Sequence, residues 1–207
     1  MKYKCTITFE EPVLGTAPTN QQVYTDFIVN KAIENGVHGI EDEWDTAPIK
    51  EDIDRVTTQG MTAFHRDAQG RNILLNYHIR GFMKEACGHR RRSSDTLSSK
   101  FTAYKKKIDG QVFVWPRRIP IKLSGPVGIL ERPLRAQTPQ GERVALTSSA
   151  QVPAGSSIEF EIEVLSDKEV PEKLLREWLD YGRYIGLGQW RSSAIYGTFD
   201  YTLERIA

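Results

Sequence analysis

The sequence has few of the residues that mark secreted, metal-binding or membrane-spanning proteins. It contains only two cysteines, Cys5 and Cys87, which provide neither a disulfide framework nor the spacing of zinc ligands. No apolar run approaches the roughly 18 residues that a membrane-spanning helix needs. The first residues also lack the apolar segment of a signal peptide. We therefore expect a cytoplasmic protein without a metal or other cofactor.

The motifs of common nucleotide-binding and hydrolytic enzymes are absent as well. No Gly-Lys-Ser or Gly-Lys-Thr follows a predicted strand, which excludes a P-loop. Gly186 and Gly188 follow a predicted helix and precede a strand, the reverse of the order in a dinucleotide-binding fingerprint. Acidic residues are frequent between residues 41 and 54, but this segment lacks the glycine and final glutamate of a calcium loop.

Two of the four histidines are candidates for RNA cleavage. His78 precedes a predicted basic helix, and His89 lies beside three arginines. A histidine next to a basic cluster can act as a general acid or base on RNA. The alternative is a solvated or hydrogen-bonding histidine without a catalytic role. We favour this second interpretation and expect no catalytic activity.

Net charge is only +1, but basic and acidic residues are segregated along the chain. Residues 1–60 contain five basic and eleven acidic side chains, whereas residues 61–143 contain seventeen basic and six acidic ones, a net of +11. Residues 144–207 are acidic again, with six basic and ten acidic side chains. A central block this basic favours a polyanionic partner, first of all nucleic acid. Solvated surface charge is the alternative.

Aromatic residues lie between the two densest basic clusters of this central block. Phe101 and Tyr104 stand between the arginines at 90–92 and the lysines at 105–107. Such a pattern is typical of a surface that follows a nucleic-acid backbone and has stacking groups nearby.

The periodicity of apolar residues predicts the secondary structure. Alternation predicts strands at residues 3–9, 112–115, 119–123, 144–146, 158–165 and 199–203. Helical spacing predicts the buried stripes Ile79, Phe82, Met83, Ala86 and Leu174, Leu175, Trp178, Leu179. A further helix is predicted at residues 20–32 and a hairpin at residues 61–77, with strands at 61–65 and 72–77. Ser166 or Asp167 is expected to cap the last helix, with Pro171 in its first turn.

These elements indicate an α+β fold built on an antiparallel sheet. At 207 residues the chain is long enough to bury a substantial core as one domain. Three segments are expected to depart from this core: an acidic insertion at residues 34–58, a basic insertion at residues 88–110 and an extended β arm at residues 124–143.

The connection between the last helix and the last strand, residues 186–199, concentrates residue types that bind ligands. Its glycines allow backbone amides to approach a ligand closely, because no Cβ stands in the way. Arg191 and two serines supply donors for phosphate oxygens, and Trp190 offers a stacking face. The alternative is a glycine-rich turn that only reverses the chain.

This glycine-rich loop resembles the C-terminal loop of RAMP-superfamily CRISPR-associated proteins. The residues concerned are Gly186-Leu187-Gly188-Gln189-Trp190-Arg191-Ser192-Ser193 and Tyr196-Gly197-Thr198-Phe199. A second family feature, a short loop leading into a basic helix, is similar to Tyr77-His78-Ile79-Arg80-Gly81-Phe82-Met83-Lys84. The resemblance implies a ferredoxin-like (RRM-like) RAMP core. It also implies that both places touch the guide RNA, as in the backbone subunits of CRISPR effector complexes.

The whole chain also resembles a family of small phage-encoded proteins of unknown activity. The stretches that carry this resemblance are residues 11–17, 113–118, 131–136 and the glycine-rich loop. It implies a phage or prophage origin and production in a host cytoplasm.

We therefore predict a non-catalytic protein that binds single-stranded nucleic acid, RNA in preference, as a homo-oligomer or a subunit of a larger assembly. The expected nucleic-acid contacts are Arg80, Lys84, Arg90, Arg91, Arg92, Lys105, Lys106, Lys107, Arg117, Arg118, Arg132, Arg135, Gly186, Gly188, Gln189, Trp190, Arg191, Ser192 and Ser193. One alternative is a phage anti-defence protein that mimics a CRISPR effector subunit through protein contacts. Another is an RNA endonuclease of the CRISPR processing type that uses His78 or His89.

Overall fold

Twelve strands and three α-helices make up the part of the chain that the structure, a computed structural model, describes: residues 1–18, 61–138 and 141–206. The strands are β1 (Lys2–Phe9), β2 (Val13–Leu14), β3 (Ala17–Pro18), β4 (Thr62–Ala63), β5 (His65–Arg66), β6 (Asn72–Leu75), β7 (Val112–Trp115), β8 (Arg118–Lys122), β9 (Gly128–Thr138), β10 (Gly141–Val152), β11 (Ser157–Val164) and β12 (Phe199–Arg205). The helices are α1 (Asn76–Arg90), α2 (Tyr104–Gln111) and α3 (Glu172–Asp180). The helix predicted at residues 20–32 and the acidic insertion predicted at 34–58 lie outside the described residues.

The main sheet is antiparallel throughout and has the strand order β12-β1-β11-β8-β6-β5, with β7 pairing with β11 beside β8. The first strand, β1, lies between two strands from the end of the chain. It pairs with β11 on one side and with β12 on the other. The predicted α+β fold with an antiparallel sheet is confirmed.

The core lies between this sheet and the helices. Tyr3, Cys5, Ile7 and Phe9 point to one face of β1 and are fully buried, as their alternation predicts. The apolar stripes of α1 and α3 cover that face. Trp178 of α3 is a core residue, as predicted, and its Nε1 donates a hydrogen bond to Ser98 Oγ at 3.0 Å.

The strand predicted at residues 72–77 is shorter than expected, because α1 begins at Asn76. The Asn76 amide donates to the Arg117 carbonyl at 2.9 Å, and its side-chain amide donates to the Val114 carbonyl at 3.1 Å. These two hydrogen bonds hold Asn76 against the connection between β7 and β8, where the chain leaves β6 and begins α1. The last helix likewise starts later than predicted, since Pro171 is the N-cap residue and Ser166 belongs to the preceding turn.

Residues 88–110 contain the end of α1, a short 3₁₀ helix and most of α2. Two apolar side chains of this segment, Phe101 and Ile108, join the core. Phe101 is only 7% exposed and its ring lies 5.7 Å from that of Trp178. The expectation that Phe101 offers a stacking face is therefore wrong, because the ring is used in packing.

A second sheet is built around the predicted arm. Strand β10 pairs with β9 along their length, from Gly128–Gln151 to Gly141–Thr138. At its C-terminal end β10 also pairs with β2 and β4, and β3 pairs with β4. The arm is therefore a long hairpin whose base is joined to the start of the chain. No helix in the described part of the chain is long and apolar enough to cross a membrane.

Candidate nucleic-acid interface

A shallow groove of about 370 Å³ runs along the outer face of α1. Its floor contains Gly81 and Gly88, which lie two helical turns apart and therefore on the same face. A Cβ added to Gly81 would meet nothing within 4 Å, and the nearest atoms to one added to Gly88 are the hydroxyl and ring of Tyr104, at 3.0 Å and beyond. The groove exists because both positions lack a side chain.

Basic side chains from two helices line this groove. Lys84 comes from α1, Arg92 from the turn that follows α1, and Lys105 from α2. Lys84 forms an ion pair with Asp109, whereas Arg92 and Lys105 have no ion-pair partner within the described ranges and are exposed. Two cations are therefore available to an anionic ligand at the side of α2.

The glycine-rich loop reaches the opposite wall of the groove. Arg191 Nη2 lies 2.5 Å from Glu85 Oε2, and Glu85 is the acidic residue of the lining. This ion pair neutralises the carboxylate and places a guanidinium at the rim. The structure thus brings the two places named in the sequence, the basic helix and the loop, into direct contact.

The glycines of the loop serve packing within the protein. A Cβ on Gly186 would lie 2.1 Å from the Gly197 carbonyl carbon, and one on Gly188 would lie 2.6 Å from the Leu14 carbonyl oxygen. Gly188 also has a φ of +91°, which side chains disfavour. The amide of Gln189 donates to the Leu14 carbonyl at 3.2 Å and so joins the loop to β2. Amide contacts from Gly186 and Gly188 to a ligand stay a prediction.

Trp190 and Gln189 tie the loop to the second sheet. The Arg132 guanidinium of β9 covers the Trp190 ring, with its Cζ 4.3 Å from the ring centroid. Gln189 Oε1 accepts hydrogen bonds from the hydroxyls of Thr62 at 2.7 Å and Ser149 at 3.1 Å. One face of the Trp190 ring is therefore occupied by Arg132, and stacking of Trp190 on a base stays a prediction.

The remaining predicted contacts do not line the groove. Arg91 stacks on the Tyr104 ring with its Cζ 5.1 Å from the centroid, and Lys107 pairs with Glu169 at 2.7 Å. Four others are exposed, namely Lys106, Arg117, Ser192 and Ser193, and three are partly buried, namely Arg80, Arg90 and Arg118. The side chain of Arg135 lies outside the described part of the structure.

The two candidate histidines have different surroundings. His89 lines the groove, and its ring is stacked on that of Tyr181 at 5.8 Å with an interplanar angle of 20°. His78 Nδ1 accepts a hydrogen bond from the Leu75 amide at 3.3 Å at the start of α1. Of the two histidines, His89 lines the basic groove and His78 does not.

Sequence reasoning missed the residues that shape the groove. The predicted contacts do not include Gly81 or Gly88, although a glycine in a helix costs roughly 1 kcal/mol relative to alanine. Two of them seven residues apart in a helical pattern predict a strip of one helix face without side chains, which is the floor of the groove. No sequence pattern marks Glu85 or Tyr181, because their contacts are with Arg191 and His89, which lie far away along the chain. Tyr184 has no marking pattern either, since its ring lies on that of Tyr181.

No family model matches the chain, and a search of curated proteins found no match. Solved structures nevertheless share its fold. A chain of the type III-B Cmr-beta complex, determined by cryo-electron microscopy with bound cognate target RNA, aligns over 100% of this chain and 61% of its own, with 10% identity and a TM-score of 0.51. This chain thus spans less than two thirds of that subunit. A chain of a type IV-B CRISPR complex aligns over 100% of this chain and 92% of its own, with 10% identity and a TM-score of 0.52. The predicted resemblance of the fold to CRISPR complex subunits is confirmed.

Proposed function

We propose that this chain binds single-stranded nucleic acid, RNA in preference, in the groove on α1 and does not cut it. The observation that carries the proposal is the convergence of cations from α1, α2 and the glycine-rich loop on a helix face that two glycines leave open. Phosphate oxygens suit lysine and arginine donors, and the missing side chains let a backbone lie against the helix.

The charges of the groove favour a polyanion over a small anion. Lys84 lies in α1, Arg92 lies in the turn that follows α1, and Lys105 lies in α2, so the cations come from separate segments and suit more than one phosphate. The one carboxylate of the lining, that of Glu85, is neutralised by Arg191, whose Nη2 lies 2.5 Å from Glu85 Oε2. Successive phosphates of one strand match this spread better than a single ligand does.

The fold supports the same proposal and extends it to assembly. The Cmr-beta chain belongs to a complex bound to target RNA, and the type IV-B chain belongs to a CRISPR complex. We infer a subunit role for this chain, as a homo-oligomer or in a larger assembly. We also interpret β1, α1, β7, β11, α3 and β12 as a ferredoxin-like, RAMP-type core, because their sheet order is β12-β1-β11-β7.

The salt dependence of binding to a uridine oligonucleotide tests this proposal. Each phosphate neutralised on a single strand adds roughly 0.7 to the slope of log affinity against log salt. We expect Lys105→Ala to weaken binding at low salt and to lower the slope by about that amount. Lys173→Ala is the matched control, because Lys173 is an exposed lysine of α3 outside the groove. Equal effects of the two variants, or no binding by the wild type, would contradict the proposal.

A second candidate function is RNA cleavage, which the position of His89 in the groove favours. An imidazole beside bound RNA can transfer a proton to or from the 2′-hydroxyl or the leaving oxygen. Labelled RNA incubated with the wild type and with His89→Ala distinguishes the two functions. Cleavage that depends on His89 supports this candidate, and intact RNA in both supports binding alone.

A third candidate is a protein partner, favoured by the outer face of the main sheet. Trp115 is 50% exposed on this face, beside Glu161 of β11. Glu159 and Glu163 form ion pairs there with lysines of β1 and β8, so the face carries charges of both signs around an exposed aromatic ring. Such a mixed surface suits a contact with a protein, which is how a phage anti-defence protein that mimics a CRISPR subunit would act. A partner captured from nuclease-treated host lysate, and lost with Trp115→Ala, supports this candidate.

A further inference from the structure

Three rings continue outward from the groove on α1. His89 lines the groove and is stacked on Tyr181 at 5.8 Å. The Tyr181 ring in turn lies 5.5 Å from that of Tyr184, at an interplanar angle of 48°. Tyr184 is 66% exposed, so the outer end of the series faces solvent. We call these three rings the aromatic ladder.

The backbone explains why the rings meet. Tyr181–Arg183 is a 3₁₀ helix that follows α3, and the Tyr184 amide donates to the Tyr181 carbonyl at 3.0 Å. Residues three apart in such a helix lie above one another, which places the Tyr184 ring over that of Tyr181. Tyr181 also packs against the core, so the ladder has a fixed base.

Packing within the protein does not explain an aromatic side chain at position 184, because the Tyr184 ring is mostly exposed. Tyr184 is among the most exposed large side chains of the described residues, and it begins the segment that leads into the glycine-rich loop. An aromatic ring supported from below and open above is a platform on which a flat ring can stack. Two ring contacts, of 5.5 Å to Tyr181 and of 5.8 Å from there to His89, connect this platform to the groove.

We propose that Tyr184 is a stacking site for a nucleobase of a strand whose phosphates lie in the groove on α1. This inference rests on the proposed function and adds a base-binding site to the phosphate-binding groove. Stacking on an aromatic ring tolerates every base, because each base has a π face. The site therefore raises the affinity for any single strand and does not select a sequence.

Two strands of equal length separate stacking from phosphate binding: a uridine oligonucleotide and an abasic strand with the same backbone. We expect Tyr184→Ala to weaken binding of the uridine strand roughly 5- to 150-fold, as the loss of one base–aromatic stack does. Binding of the abasic strand should not change. Tyr184→Phe keeps the ring and should bind both strands as the wild type does.

The base itself gives a second readout. A strand that contains 2-aminopurine loses fluorescence when that base stacks, so the wild type and Tyr184→Phe should quench it and Tyr184→Ala should not. Equal binding of the uridine strand by Tyr184→Ala and the wild type overturns the inference. An equal loss of affinity for the uridine strand and the abasic strand in Tyr184→Ala also overturns it, because such a loss indicates an effect on phosphate binding or on folding. A failure of the proposed function itself gives a different result from a failure of the stacking site. In that case the wild type binds neither the uridine strand nor the abasic strand at low salt.

Discussion

Glycine has two opposite uses in this molecule, and the space around each Cα distinguishes them. At Gly186 a Cβ would lie 2.1 Å from the backbone of Gly197, so the absence of a side chain lets two segments of the protein touch. At Gly81 a Cβ would meet nothing within 4 Å. The first glycine is required by the fold, whereas the second is unfavourable in a helix and has no close neighbour that requires it.

The variant Gly81→Gln separates stability from binding. Glutamine is a good helix former and should raise the free energy of unfolding by roughly 0.5–1 kcal/mol. Its side chain should also fill the groove and weaken RNA binding by about tenfold or more, since a lost charge-assisted hydrogen bond costs roughly 1.5–3 kcal/mol. Urea denaturation and a binding titration measure the two effects.

Gly110→Gln is the control for this prediction. Gly110 lies in α2, and a Cβ there also meets nothing within 4 Å, but the residue does not line the groove. This variant should gain stability in the same way and bind RNA as the wild type does. Equal binding by both variants would show that the outer face of α1 is not the binding site.

The two thiols should be protected in the folded protein. Burial raises the pKa of Cys5 to about 12, and burial also raises the pKa of Cys87. Since the thiolate is the reactive form, neither residue should react with a disulfide reagent at pH 8 while the protein is folded. Both should react once denaturant is added. A thiol that reacts rapidly in the native protein would contradict the core described above.

Among the elements, α1 shows most clearly what the sequence predicts. The spacing of Ile79, Phe82, Met83 and Ala86 indicates the buried face, and all four are buried in the structure. The sequence also predicts that the opposite face of α1 is basic. It does not predict the groove on that face, because the walls of the groove come from α2 and from the glycine-rich loop. The pair of Glu85 and Arg191 joins residues 106 positions apart. Helical periodicity contains no information on such a contact.

Glu85→Gln tests whether α1 and the loop form one electrostatic site. Removal of the one carboxylate of the lining frees Arg191 and makes the groove more positive. RNA binding at low salt should tighten by about fivefold, since a unit charge at about 4 Å is worth roughly 1 kcal/mol in water. The gain should shrink as salt is added.

Glu161→Gln is the matched control for this charge change. It removes the same charge from the outer face of the main sheet, away from the groove. Its effect on RNA binding should be smaller than that of Glu85→Gln. Weaker binding by Glu85→Gln would mean that the ion pair itself holds Arg191 in its binding position.

At the scale of the whole molecule, the basic centre of the sequence forms α1 and α2, and the glutamates near its acidic end lie in β11 on the outer face of the sheet. Lysines of β1 and β8 pair with Glu159 and Glu163 there, so that face carries charges of both signs. The sequence predicts the antiparallel sheet and both buried helix stripes. It does not predict that Lys84 and Lys107 form ion pairs within the protein, with Asp109 and Glu169. It also misses the packing use of Phe101, whose partner Trp178 lies far along the chain.

The most direct test of the binding site is photo-cross-linking of the protein to RNA that contains 4-thiouridine, followed by mass spectrometry of the peptides. We expect the cross-links within residues 81–92, in α1 and the turn that follows it, on Tyr104 or Lys105, and on Tyr184, since these residues line the groove or belong to the aromatic ladder. Cross-links confined to the outer face of the sheet, around Trp115 and β11, would contradict this account.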